Sequence, residues 1–135
     1  MKLLAILSVA ALCVVGGPAS GQDVTLDSVM AKVSKGKPFV LVLLLAGKPV
    51  PADKEIAEKL HGDHLVRLFQ LEKDGKISVF GPVTDQTSEL RGIIIFNDPD
   101  ITKAQMELDS DPYIKQGYLK AELYNWFTIP GQRIP

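Results

Sequence analysis

The sequence of 135 residues contains a single cysteine, Cys13, which lies in an apolar segment near the start of the chain. Once that segment is removed no thiol remains, which excludes disulfides, thiolate metal sites and a cysteine nucleophile. The 15 basic and 16 acidic side chains are nearly balanced, so there is no basic excess to hold nucleic acid or anionic lipid. The sequence also lacks a glycine-rich phosphate loop, a serine nucleophile motif and a dinucleotide fingerprint.

Residues 1–21 have the pattern of a secretory signal peptide. A positive start is followed by an apolar run over residues 3–15, and small residues stand at Ala19 and Gly21, the positions that a signal peptidase reads. The run is too short for a transmembrane helix. We therefore predict cleavage before Gln22 and a mature chain of 114 residues, with 14 basic and 16 acidic side chains. It would be secreted or periplasmic, with no membrane attachment.

Strand and helix patterns alternate along the mature chain. Strand patterns cover residues 39–45, 76–80, 92–96 and 118–127, and helix patterns run from Asp53 to about Asp74 and onward from Asp100. Both helices begin at an aspartate suited to capping, and the first is followed by a glycine. The order strand, helix, strand, strand, helix, strand predicts an α+β, ferredoxin-like βαββαβ fold, in which two helices cover one face of a four-stranded antiparallel sheet.

We expect this domain to span residues 38–128. An arm or short helix over residues 22–37 would precede it, and an irregular tail over residues 129–135 would follow. The first and third strands are apolar at every position, although the two helices cover only one face of the sheet. The simplest cover for the second face is the same face of another copy, so we predict a homodimer.

His64 interrupts the apolar stripe of the long helix, whose other members are Ile56, Leu60, Leu68 and Leu71. A buried imidazole needs a hydrogen-bond partner, and without one it costs about 1–3 kcal/mol. It is either a core histidine bonded to a backbone carbonyl or a general acid or base, since its ordinary pKa of about 6.5 suits proton transfer near neutrality. Spacing alone leaves both interpretations open.

Asp111 precedes Pro112 and is either a helix-ending cap or turn residue, or the carboxylate that orients the His64 ring. Asp85 and Asp109 are the other carboxylates considered for that partnership. Tyr113 is a candidate hydrogen-bond donor to the same site, with packing as its alternative role.

Four other residues have side chains suited to a binding site. His61 and His64 stand three residues apart on a helix, but a metal site would lack further ligands, so we expect none and interpret His61 as a surface residue. Arg91 is a candidate for holding a substrate anion, or else a solvated side chain. Trp126 and Tyr124 share one face of the last strand, where they either pack or form an aromatic wall for a ligand.

Several blocks of sequence carry a family resemblance. In chain order they are His64-Leu65-x-x-Leu68, Asp74-Gly75-Lys76-Ile77, Gly81-Pro82, Arg91-Gly92-Ile93-x-Ile95-Phe96, Asp111-Pro112-Tyr113-x-x-x-Gly117 and Trp126. Together they resemble the YCII-related domain family over roughly residues 39–127. The resemblance implies a ferredoxin-like domain that dimerises through its sheets into an α+β barrel. It also implies an acid–base pair, which matches His64 and, in the Asp-Pro motif, Asp111.

The resemblance favours a cofactor-independent enzyme that uses this pair on a small cyclic or aromatic substrate, in an isomerase, lyase or dehalogenase type of reaction. The alternative is a non-catalytic dimer that binds a small molecule in the same pocket. One departure concerns His61, because many family members have an arginine at that position; a role for that arginine in binding anions does not transfer to this chain.

Overall fold

The computed structural model of the chain describes residues 23–85 and 87–132. In chain order the elements are α1 (Leu26–Val33), β1 (Lys37–Ala46), α2 (Lys54–Lys73), β2 (Ile77–Pro82), β3 (Leu90–Phe96), α3 (Ile101–Asp109), α4 (Pro112–Lys115) and β4 (Leu119–Thr128). The predicted signal peptide and its cleavage site lie outside the described residues. Among the helices within those ranges, none is long and apolar enough to cross a membrane.

The four strands form one antiparallel sheet in the order β2-β3-β1-β4. The central strand β1 pairs with β3, where Val40 lies opposite Phe96, and with β4, where Phe39 lies opposite Trp126. The helices α2 and α3 share one apolar cluster with the sheet, so both lie on the same face. This is the ferredoxin-like βαββαβ arrangement, and it confirms the fold class expected from the sequence.

The face under the helices, called the covered face here, holds the hydrophobic core. Val40, Val42 and Leu44 of β1 point into it, and the first two are completely buried. They pack in one cluster with Leu68, Leu71, Ile77, Ile94, Phe96, Ala104 and Leu108. Burying a side chain of this size stabilises the fold by about 1.5–3 kcal/mol, so this cluster is the main source of stability.

The opposite face of the sheet, called the open face here, is apolar as well. Because side chains alternate along a strand, it is formed by the residues between those of the core, namely Leu41, Leu43, Leu45, Ile93, Ile95, Tyr124 and Trp126. All of them are half-buried except Tyr124, which is exposed. No helix of the described part of the chain covers this face.

The helix α2 positions the residue singled out in the sequence. It begins at the N-cap Asp53, whose Oδ1 accepts a hydrogen bond from the Ile56 amide at 3.1 Å, and it ends before Gly75, whose φ of 70° reverses the chain. Its buried residues are Leu60, His64, Leu68 and Leu71. Ile56, predicted to belong to this stripe, is instead 52% exposed, because the buried stripe starts one turn into the helix.

A short helix, α4, follows α3 where the sequence indicated only a turn. Asp111 is its N-cap, and Pro112 stands at its first position, where a missing amide hydrogen costs nothing. Four residues are too few to show a helical period, so the sequence carries no periodic signal for α4. The short helix matters because its cap is also a candidate site residue.

Candidate active site

A cavity of about 410 Å³ opens between α2, α4 and the adjoining ends of β1, β3 and β4. Its apolar wall includes Leu44, Val50, Leu68 and Leu119, and its polar lining residues are Lys48, His61, His64, Arg91, Tyr113 and Tyr118. The volume falls within the range of about 300–1,000 Å³ that is typical of small-molecule sites. An apolar cavity with a few converging polar groups is the arrangement expected of a substrate pocket.

His64 and Asp111 meet at this cavity. The Nδ1 atom of His64 lies 2.7 Å from Oδ2 of Asp111, and the two residues are only 7% and 1% exposed. They are 47 positions apart in the chain and are brought together because α2 and α4 pack against each other. Asp85 and Asp109, the other carboxylates considered, bond instead to Thr87 and Gln105.

Asp111 has two sets of contacts, and its cap begins α4 rather than ending α3, whose C-cap is Ser110. Its Oδ1 accepts hydrogen bonds from the amides of Tyr113, at 2.9 Å, and Ile114, at 3.3 Å, and so caps α4. Its Oδ2 faces His64. The cap fixes the carboxylate, and the carboxylate in turn fixes the imidazole ring, so neither has to be ordered when a ligand binds.

This contact defines the chemistry available to His64. When Asp111 is ionised, its carboxylate only accepts hydrogen bonds, so Nδ1 of His64 then carries the proton and Nε2 of the neutral ring has the free lone pair. Nε2 is therefore the atom able to accept a proton at the cavity, while the charge of Asp111 stabilises the imidazolium that results. The backbone-bonded core histidine considered from the sequence is not what the structure contains.

Tyr113 lies beside this pair. Its ring centroid is 5.1 Å from that of His64 and 6.0 Å from that of Tyr118, which it meets edge-on. Burial, and to a smaller extent the charge of Asp111, raises the pKa of the Tyr113 phenol above its ordinary value. The hydroxyl therefore remains protonated near neutrality and can donate a hydrogen bond.

The structure also brings Arg91 to the cavity, together with two residues that the sequence analysis missed, Lys48 and Tyr118. Lys48 follows β1 and Tyr118 precedes β4. These two strand ends are neighbours, because Ala46 of β1 lies opposite Leu119 of β4. At Gly47 an added Cβ would lie 2.1 Å from the Gly117 carbonyl oxygen, so the strands approach this closely only with glycine. The available sequence signal was a glycine within two residues of each strand end, Gly47 after β1 and Gly117 before β4.

Trp126 does not reach the cavity. It lies opposite Phe39 on the open face, with the two ring centroids 6.3 Å apart, and Tyr124 is on the same face. Alternation along β4 separates both from Leu119, which does line the cavity. The prediction that Trp126 belongs to the binding site is therefore corrected, because this residue lies on the other side of the sheet.

His61 lines the cavity one turn before His64, and its ring centroid is 6.1 Å from that of Tyr113. It was interpreted from the sequence as a surface residue, and it is exposed but faces the cavity mouth. Within residues 23–85 and 87–132, no three side chains of the metal-ligating types lie together.

The sequence profile of the YCII-related domain matches residues 40–126, which is most of the described chain. The chain belongs to the YCII-related domain family. The matched range includes all of the polar residues that line the cavity of this YCII-related domain.

Among solved structures, the chain is similar to 5-chloro-2-hydroxyhydroquinone dehydrochlorinase (TftG) from Burkholderia phenoliruptrix AC1100, in its complex with 2,5-dihydroxybenzoquinone. The two sequences are 19% identical, the TM-score is 0.47, and the alignment covers 64% of this chain and 92% of that one. No curated protein matches the sequence.

Proposed function

We propose that this YCII-related domain is a cofactor-independent enzyme that moves a proton on a small cyclic or aromatic substrate. The observation that supports this proposal is the buried hydrogen bond of 2.7 Å between His64 and Asp111 at the wall of an apolar cavity. A histidine held by a carboxylate, with its second nitrogen available to a ligand, is the usual arrangement for general acid–base catalysis.

In the proposed reaction, Nε2 of His64 takes a proton from an acidic C–H or O–H group of the substrate. The electron pair of the broken bond moves into the adjoining carbonyl or ring system. In an isomerisation the same proton returns to a different atom. In an elimination a halide leaves with the electron pair, and the proton follows it into solvent. Neither route changes the total oxidation state, so neither needs an electron acceptor.

A substrate screen tests this proposal. Catechols, lactones and haloaromatic phenols would be offered to the unaltered protein, to His64→Gln and to Asp111→Asn, with folding checked by circular dichroism. We expect His64→Gln to lose about 10²–10⁴-fold in kcat, the usual contribution of a general acid or base. Asp111→Asn should lose less, because it misorients the base without removing it. A kcat of His64→Gln close to that of the unaltered protein would contradict the proposal.

The second candidate function is binding without turnover. The edge-on pair of Tyr113 and Tyr118, with centroids 6.0 Å apart, favours it because such a wall suits an aromatic ligand. The same screen separates the two candidates. A compound that binds to the unaltered protein, binds more weakly to His64→Gln and emerges chemically unchanged would identify a binding protein.

We also propose that the open face is covered by a second copy of the chain. The central strands present Leu41, Leu43 and Ile95 on this face, where they are only half-buried and no helix of the described part of the chain covers them. Lys120 and Glu122 lie on the same face of β4, opposite Leu45 and Leu43. A face that carries one positive and one negative side chain beside an apolar centre can be complementary to the same face of a second copy across a two-fold axis.

Light scattering at micromolar concentration tests the dimer. The unaltered protein should have twice the mass of one chain, and Leu43→Glu should be monomeric or insoluble, because it places a charge in the apolar centre. Gln116→Glu is the matched control, as it makes the same one-unit change of charge at the exposed residue that ends α4. A soluble monomer of the unaltered protein would exclude the dimer.

Export is proposed on the pattern of residues 1–21 alone. Protein purified from its native host should begin at Gln22 or within one or two residues of it. Mass spectrometry of the intact chain measures this directly, and a retained Met1 would contradict export by this route.

A further inference from the structure

The charges around the cavity have one sign. Lys48 and Arg91 both line it, and the lining residues in the described part of the chain include no aspartate or glutamate. Asp111 is buried and contacts the cavity residue His64. The lining of the cavity therefore carries a lysine and an arginine with no acidic side chain beside them.

Neither cation is neutralised by a carboxylate within the described residues. The Lys48 ammonium group lies 4.6 Å from the centroid of the Tyr118 ring, a cation–π contact that orients it without cancelling its charge. The Arg91 guanidinium donates to the carbonyl oxygens of Ser88 and Leu90, which are neutral acceptors. Both cations are therefore held in place and remain available to a ligand.

Tyr113 adds a neutral donor to this set. Its hydroxyl has no hydrogen-bond partner among the described residues, and burial, followed by the charge of Asp111, raises its pKa. A phenol that stays protonated donates to an anionic oxygen.

We propose that the substrate of this site is an anion, a small ring compound carrying a carboxylate or an ionised phenol, and that Lys48 and Arg91 bind its charged oxygen. The ring would lie against Tyr113 and Leu68, near His64. This inference deepens the proposed function, because it assigns a substrate class to the same cavity. It also gives Lys48, which the sequence analysis did not consider, a role in specificity.

The position of the cations also bears on the chemistry. Positive charge beside the substrate stabilises the enolate or phenolate that forms when a proton leaves for His64. Lys48 and Arg91 would therefore hold the substrate in the ground state and also favour proton removal.

Two probes of matched shape test the proposal. Benzoate and benzamide have nearly the same size but differ by one unit of charge, and their binding at pH 7.5 is measured by calorimetry or NMR titration. We expect benzoate to bind about 10-fold more tightly than benzamide. Raising the salt from ~0.05 to ~0.5 M should weaken benzoate only, because salt screens charge.

Substitutions identify which residues cause the preference for benzoate. Lys48→Gln and Arg91→Gln should each reduce the affinity for benzoate toward that for benzamide and leave benzamide binding unchanged. Lys103→Gln is the control, because its ammonium group pairs with Asp98 away from the cavity. His64→Gln should still prefer benzoate, because both cations remain.

The outcomes separate this inference from the proposed function. Equal binding of the two probes, or no binding of either, would overturn the anion site while leaving any His64-dependent turnover of a neutral substrate untouched. A preference for benzoate that Lys48→Gln and Arg91→Gln abolish would support the anion site, even if the screen found no turnover.

Discussion

Two side chains one turn apart on α2 contact acidic residues in the segment between β3 and β4. His64 contacts Asp111, and three residues later Arg67 contacts Glu107 of α3. The side chains of the first pair are 9% and 2% exposed, and those of the second pair are 27% and 24% exposed. The same helix thus makes a buried polar pair and a partly solvated ion pair.

The surroundings of the two carboxylates differ as much as their burial. Asp111 bonds to two backbone amides and one imidazole, so the fold itself fixes it. Glu107 lies between the side chains of Lys76 and Arg67, and the hydrogen bond from Lys76, with a smaller one from Arg67, holds its pKa below the ordinary value of 4.5. A buried pair fixed by the backbone can position a reactive ring, whereas the partly solvated pair only links three elements of the fold.

Asp111→Ala should cause the largest loss of stability. It leaves His64 buried without its partner and removes the cap of α4, so the free energy of unfolding should fall by about 3–5 kcal/mol in urea denaturation. The matched control is Asp109→Ala, an exposed acid two residues earlier, which should change it by less than about 0.5 kcal/mol. Equal effects of the two changes would show that burial does not distinguish these acids.

Glu107→Gln should have a smaller effect. Its partners are partly solvated, and pairs of this kind contribute about 0.2–1 kcal/mol. We expect a loss of about 1 kcal/mol at pH 7 in the same urea assay, with activity on any substrate of the cavity unchanged. A loss as large as that of Asp111→Ala would mean that the ion pair is part of the core.

The contribution of Glu107 should also depend on pH. Because its pKa is lower in the folded state, its stabilising effect is fully present above the ordinary value of 4.5 and is lost as the pH falls through the folded pKa. The difference in unfolding free energy between the unaltered protein and Glu107→Gln should therefore shrink on acidification. A difference that stays constant from pH 7 to the acid limit of folding would contradict the assignment.

The smallest expected effect distinguishes the contributions of Lys76 and Arg67 to the pKa of Glu107. Lys76→Met should raise the pKa of Glu107 more than Arg67→Met does, since the Lys76 hydrogen bond is the larger cause of the lowering. NMR titration of the Glu107 carboxyl carbon measures both. The Nε atom of Arg67 is also buried without a partner among the described residues, so Arg67→Met removes a polar group that already costs stability.

The elements that the sequence predicted well are those with strong local signals. Asp53 and Asp100 cap the two long helices as expected, and Gly75 ends the first of them, because capping depends on residues within one turn. The alternation along β4 is also as predicted, with Leu119, Ala121 and Leu123 packed against the core. Ile56 and α4 differ from the prediction, because a helix end and a four-residue helix carry little periodic signal.

The amino-acid sequence by itself determined the fold, through hydrophobic period, caps and the order of strands and helices, and it marked His64 as a polar residue in an apolar stripe. Only the tertiary structure decided which residues share the cavity. It brought Asp111 to His64 and Lys48 beside Tyr118, and it put the cavity on the covered side of the sheet, away from Trp126. The physical reason is that local patterns fix which face a side chain occupies, whereas contacts between distant segments depend on how strands pair and helices pack.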